Sequence, residues 1–198
     1  MEPRPDPIDP AADADSRLLL RSAAGDLSAF DALVERNRGR VLNLVYRYVG
    51  DAHEAEDIAQ EVFVRLFLAR KKYVSQAPFR PFLYKIAVNL CLNEVRRRRR
   101  RPVDVGVQRI PEAASTLGDP QSETAREELA RHVRGALQQL PDAQRMAVVL
   151  SRYNELSYRE IAEAMDCSVK AVEALLHRAK RSLAKQLGEY VGAGSGSP

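Results

Sequence analysis

The stretch LSYREIAEAMDCSVKAVEALLHRAKRSL, residues 156–183, decides the fold. Ser157 stands three residues before Glu160, the spacing of a capping box. There the two side chains accept from backbone N–H groups that a first helical turn leaves free. A helix therefore starts at this point, and Ile161, Ala162 and Met165 supply its inner face. Asp166 and Cys167 form a short turn, Ser168 is a second N-cap, and a longer helix begins at Val169. Wrapped at about 100° per residue, Val172, Leu175, Leu176, Ala179, Leu183 and Leu187 fall on one side of that helix. Lys170, Glu173, Ala174, His177, Arg178, Arg181 and Lys185 fall on the other. Two spaced N-caps, a short turn and a one-sided basic face predict a helix-turn-helix whose second helix enters a DNA major groove. Residues near its start would face base edges, and its later cations would face phosphates. A plain helical hairpin with a solvated basic face is the alternative.

Upstream, helical spacing runs from Ser16 to Arg101. Phe30, Leu33, Val34, Val41, Leu44, Val45 and Tyr48 recur at three- and four-residue steps. After Gly50, Asp51 with Glu54 three residues on opens a further helix carrying Ile58, Val62, Phe63, Leu66 and Phe67. A loop spans Tyr73 to Pro78, and a helix marked by Phe82, Ile86, Leu90 and Val95 enters the arginine run Arg96 to Arg101. Pro102 to Thr124 breaks the pattern with prolines, glycines and acids, which reads as an extended linker. The fold class expected is all-α: two small helical domains, the second with the helix-turn-helix, joined by a flexible linker. Residues 1–15 form an acidic, proline-rich disordered tail, 16–101 the first domain, 102–124 the linker, 125–190 the second domain and 191–198 a flexible tail.

The net charge of +4 hides segregation: an acidic start, the arginine run, and a second basic cluster at His177, Arg178, Lys180, Arg181 and Lys185. Two basic sites point to a polyanion touched twice. Cys91 and Cys167 are far apart in helical segments and read as buried thiols rather than a disulfide. No Cys/His spacing suits a metal, and no cofactor is expected. No apolar run is long enough to span a membrane, so no membrane insertion is expected. The acidic start is unlike a signal peptide, and the expected location is cytoplasmic.

The quoted stretch resembles the last DNA-binding region of bacterial RNA polymerase sigma factors, most closely the extracytoplasmic-function (ECF) group. Leu140-Pro141 with Gln144-Arg145 is similar as well. In the first domain, Asp57-Ile58-Ala59-Gln60-Glu61-Val62-Phe63 resembles the family's polymerase-docking motif, which implies that Asp57, Gln60, Glu61, Val62 and Phe63 bind core RNA polymerase. Phe79-Arg80-Pro81-Phe82-Leu83-Tyr84-Lys85-Ile86-Ala87-Val88-Asn89 resembles the segment that melts and holds the minus-ten element. The resemblance implies that the loop around Lys71 to Pro78 supplies a base pocket, with Lys71, Lys72, Arg80, Phe82, Lys85, Asn89, Arg96 and Arg97 as DNA contacts. For Phe79, Phe82 and Tyr84, core packing is the competing reading. The minus-thirty-five contacts implied are Arg159, Ser168, Lys170, Ala171, Glu173, Ala174, His177, Arg178 and Arg181. The sequence departs from the family pattern at Phe82, where Trp is usual, at Asn93, where Asp is common, and at Val169 to Val172, where many members have Gly-Thr-Val-Lys. The last two bear on which promoter is read.

The resemblance implies a transcription initiation subunit that directs core RNA polymerase to promoter DNA, serves stress responses and is restrained by an anti-sigma factor. A dimeric repressor or activator is the first alternative, but no dimerisation or ligand segment is legible. A nuclease is the second, and the chain offers no paired acidic metal site, phosphate-cradling loop or nucleophile with a base, so no enzyme is expected.

Overall fold

The computed structural model describes residues 14–73, 78–100 and 120–194. These form α1 (Ala14–Ala23), α2 (Leu27–Val49), α3 (Ala52–Ala69), a 3-10 turn (Arg70–Lys72), α4 (Phe79–Arg100), α5 (Pro120–Gln138), α6 (Asp142–Tyr153), α7 (Tyr158–Met165) and α8 (Val169–Gly194). The described residues include no strand, as the all-α reading expected. Most of the tail 1–15, the centre of the loop at 74–77, the linker over 102–119 and residues 195–198 lie outside the described residues.

Local chemistry places the helix ends. Asp26 caps α2: its carboxylate accepts from Ala29 N at 3.2 Å, Ser28 Oγ at 2.6 Å and Arg21 Nη2 at 2.6 Å. Those donors hold its pKa at about 2, the Ser28 hydroxyl contributing most. Depression of a carboxylate means that its cap is in place at neutral pH and is lost only as pH falls through that value. Gly50 ends α2 at φ 85°, a left-handed conformation that a side chain resists. A Cβ there would also stand 3.1 Å from Gln138 Nε2. Asp51 caps α3 by accepting from Glu54 N at 2.8 Å. The Glu54 side chain pairs with Arg98 of α4, so this cap is only half of a capping box.

Boundaries differ from the sequence reading in three places. Asp15, assigned to the tail, lies in the first turn of α1 and is buried. Arg36 and Asn37 of α2 donate to it at 2.7 and 3.1 Å, which offsets the cost of taking the carboxylate out of water. α5 begins at Pro120 rather than 125, with the fixed φ of proline suited to the first helical position. α8 continues to Gly194, past the expected end at 190.

α1 to α4 make the first unit. Leu33, Val41, Leu44, Val45, Val62, Leu66, Phe79, Leu83, Ala87 and Cys91 are fully buried at 0 % exposure. α5 to α8 make the second, and Leu137, Leu140, Val148 and Ala179 form a small apolar cluster of its own. The units are in direct contact, a point that the tethered layout did not anticipate. Met146, Val149, Leu150, Leu156, Ile161 and Val172 join the core of the first unit in one continuous cluster. α7 lies along α4, and the end of α2 meets α5 and α6.

Candidate functional site

The helix-turn-helix is built as its caps dictate. Ser157 Oγ accepts from Glu160 N at 3.2 Å, and Glu160 accepts from Ser157 N at 2.7 Å, completing the capping box. Asp166 closes α7 at φ 55°, and Cys167 N returns to Ala162 O at 3.0 Å. Ser168 Oγ accepts from Ala171 N at 3.2 Å and starts α8. Val172 and Ala179 are buried, while Leu175, Leu176, Leu183 and Leu187 are half-buried on the same side. Lys170, Glu173, Ala174, His177, Arg178 and Arg181 are exposed, as is Ser168, and Ala171 is half-buried at the edge. Arg159 on α7 is exposed and paired loosely with Glu163 at 3.4 Å. The structure therefore gathers these residues along the open side of α8 and its approach. Lys170 lies near the helix start, where a groove-bound helix meets base edges.

The α3 motif divides sharply. Asp57 and Gln60 are exposed, and Glu61 is half-buried with Arg65 across one helical turn at 2.7 Å. Val62 and Phe63, expected as polymerase contacts, are core residues at 0 % and 8 % exposure. Their apolar side chains fall on the inward arc of α3, so they position the helix rather than present a surface. On the outer arc Val64 and Leu68, which the sequence reading did not single out, are exposed at 53 % and 70 %. At 100° per residue, Asp57, Gln60, Glu61, Val64 and Leu68 share about 100° of arc. The spacing was present in the sequence.

The minus-ten candidates are split. Lys71 and Lys72 are exposed on the 3-10 turn, and Lys85, Asn89, Arg96 and Arg97 are exposed along α4. Arg97 is held by Glu94 at 2.7 Å, and that hydrogen bond raises its already high pKa. Phe82 is half-buried with its ring 5.2 Å from that of Tyr73, so part of it packs rather than forming an open platform. Phe79 and Tyr84 are core, at 0 % and 1 %. Arg80 turns away from solvent: its Nη2 donates to Asn154 O of the second unit at 2.5 Å. Lys85 pairs with Asp166 of the second unit at 3.2 Å.

Both cysteines are free thiols. Burial pushes Cys91 up to about 12, and partial burial followed by the Asp166 charge raises Cys167. Iodoacetamide at about pH 8 should therefore modify Cys167 slowly and spare Cys91 until the chain unfolds, since the thiolate is the nucleophile. Peptide mass mapping over time reads the order, and equal rates for the two would contradict this packing. Among the described residues no helix is long and apolar enough to cross a membrane, and no group of His, Cys, Asp or Glu could hold a metal.

Comparison with known proteins bears directly on this geometry. Residues 33–101 match the family described as Sigma-70 region 2, and residues 131–183 match Sigma-70, region 4. The chain is 34 % identical over 180 residues to RNA polymerase sigma-H factor of Pseudomonas aeruginosa, covering 87 % of this chain and 93 % of that protein. It is 32 % identical to the ECF RNA polymerase sigma factor SigW of Bacillus subtilis, over 82 % and 91 % of the two chains. To the ECF RNA polymerase sigma-E factor of Escherichia coli it is 34 % identical, over 85 % and 92 %. Among solved structures it superposes on CnrH, solved in complex with the cytosolic domain of CnrY, at a TM-score of 0.68 and 30 % identity, covering 89 % of this chain and 99 % of the other. At 17 % identity, the sigma factor RpoE of Bartonella quintana shares the fold, with a TM-score of 0.62 over 80 % and 96 %.

Proposed function

The chain belongs to the ECF group of bacterial RNA polymerase sigma factors, a transcription initiation factor that binds core polymerase and promoter DNA, and from that membership we propose how its surfaces divide the work. The exposed side of α3, with Asp57, Gln60 and Glu61 flanked by Val64 and Leu68, docks on core RNA polymerase. Its mixed character supports this: carboxylates give orientation, and two exposed apolar side chains give area to bury. Lys71, Lys72, Lys85, Asn89 and Arg96, with Arg80 once released, hold the opened minus-ten strand. α8 reads the minus-thirty-five element through Lys170, Glu173 and Ala174, and His177, Arg178 and Arg181 grip the backbone. The boundaries that follow are 14–100 for the first unit and 120–194 for the second. The chain acts in the cytoplasm, without catalysing a reaction of its own. CnrH, the 30 % identical neighbour, was solved with a partner protein bound. That supports restraint of this chain, too, by an anti-sigma protein laid over its two units.

The observation that carries the reading is the coexistence of an exposed, mixed polar and apolar face on α3 with an exposed basic face on α8. Co-purification with core polymerase tests it. Asp57→Ala combined with Glu61→Ala should abolish stable association while leaving helical content and melting temperature nearly unchanged, because Asp57 is exposed and Glu61 makes only an i,i+4 surface pair with Arg65. Undiminished association of the double variant would place the docking surface elsewhere. Binding of a palindromic operator as a dimer, with no need for polymerase, would favour a repressor instead.

A further inference from the structure

We propose that α1 is a positioning element for promoter opening. The hydrogen bond between Ser16 and Tyr73 sets where the 3-10 turn presents Lys71 and Lys72 relative to α4. α1 lies ahead of the residues that match region 2. The inference rests on the assignment of Lys71, Lys72 and Lys85 to the minus-ten strand.

The turn at Arg70–Lys72 is too short to orient itself. It closes through Tyr73 N to Arg70 O at 3.3 Å, and hydrogen bonds of this 3-10 kind have poor geometry. Its direction therefore comes from what it is tied to. With three residues per turn, Arg70 and Tyr73 stack on one side and Lys71 and Lys72 point to the other. The first pair faces α1. Tyr73 Oη and Ser16 Oγ share a buried hydrogen bond of 2.8 Å. Arg70 Nε donates to Ser22 O at 3.4 Å, in the last turn of α1, where a helix favours a cation. Serine is a mediocre helix former, and its place at 1 % exposure inside α1 is accounted for by the hydroxyl it offers a buried tyrosine.

α1 is itself fixed, so it can act as a splint. Arg36 and Asn37 of α2 hold Asp15, the residue beside Ser16, at 2.7 and 3.1 Å, and Leu19 is in the core at 0 % exposure. On its other side the Tyr73 ring lies 5.2 Å from that of Phe82 on α4. A path of contacts thus runs from α2 through Asp15, Ser16 and Tyr73 to Phe82. It ties the turn that carries Lys71 and Lys72 to the helix that carries Lys85 and Asn89. All four of these side chains are exposed. A strand gripped by both groups needs their spacing set beforehand, because ordering them on binding would weaken it. Ser16 and Tyr73 touch no DNA in this reading. They act through the cations and the ring that do.

Reconstituted holoenzyme carrying Ser16→Ala, Tyr73→Phe or both tests this on a promoter recovered by run-off selection. Strand opening is read by permanganate reactivity of thymines in the minus-ten element. Each single variant should open the promoter on the order of fivefold less well. The double variant should lose no more than either single one, since all three delete the same bond. It also removes both partners at once, which costs less than orphaning one, so its melting temperature should stay close to that of wild type. The readout that separates positioning from general weakening is selectivity. Preference for the native minus-ten element over single-base substitutions should fall, while preference at the minus-thirty-five element and affinity for core polymerase stay as in wild type. Undiminished minus-ten selectivity in the folded double variant would overturn the proposal, and so would equal loss at both elements. Failure of all three variants to fold would make the bond a stability element and overturn it as well. Lys71→Ala with Lys72→Ala checks the surface assignment separately. If that pair is silent while the hydroxyl deletions cost selectivity, the lysine assignment fails and the positioning role stands. If the lysines matter and the hydroxyls do not, the positioning role fails alone.

Discussion

Leu66→Ala should lower stability by about 2–5 kcal/mol, whereas Leu68→Ala, two residues along the same helix, should change it by no more than about 0.5 kcal/mol. Leu66 is at 0 % exposure in the core shared by α2, α3 and α4, so its removal leaves a cavity as well as lost burial. For a unit of this size each kcal/mol corresponds to roughly 4–8 °C of melting temperature. Leu68 at 70 % exposure has little to lose in the free chain. If it is covered by polymerase, its burial is worth about 1.5–3 kcal/mol, a weakening of roughly tenfold or more on truncation. Thermal melting and polymerase affinity measured on both variants separate the two roles. A Leu68→Ala chain that melts early, or that binds polymerase as wild type does, would contradict the assignment of this face.

Lys170→Ala and Arg178→Ala should each cut transcription from a cognate promoter while leaving polymerase binding intact. Lys170 is exposed in the first turn of α8, where loss of a base contact costs about 1–3 kcal/mol and relaxes discrimination at that position. Arg178 is exposed two turns later, where a phosphate contact is expected. Its loss should weaken all sequences alike and reduce the slope of log affinity against log salt by about 1. Run-off transcription with reconstituted holoenzyme over a promoter library and a salt series reads both. Equal loss of polymerase affinity in either variant would show that this face docks on protein rather than DNA.

How far the chain could be read in advance depended on whether a feature was local. The capping box at Ser157 and Glu160, the N-cap at Ser168 and the sidedness of α8 are set within a few residues, and the structure forms each of them. Asp51 was legible as a cap for the same reason, but the destination of the Glu54 side chain was not, because Arg98 lies on another helix. Asp15 looked like one more tail acid until α2 brought Arg36 and Asn37 to it. Val62, Phe63, Val64 and Leu68 show the same limit. Helical spacing puts residues on arcs, but only the neighbours of α3 determine which arc is inside.

The sequence alone determined that this chain is helical, where its helix-turn-helix starts and turns, and which side of α8 is basic. Hydrogen bonds between near neighbours and a 3.6-residue period decide those matters. Only the tertiary structure decided that the two units touch. Arg145, Gln138 and Asn154 reach backbone carbonyls that any sequence possesses, so no residue pattern announces them. The helix-turn-helix is thereby joined to α4, whose Arg80 and Lys85 meet Asn154 and Asp166 of the second unit.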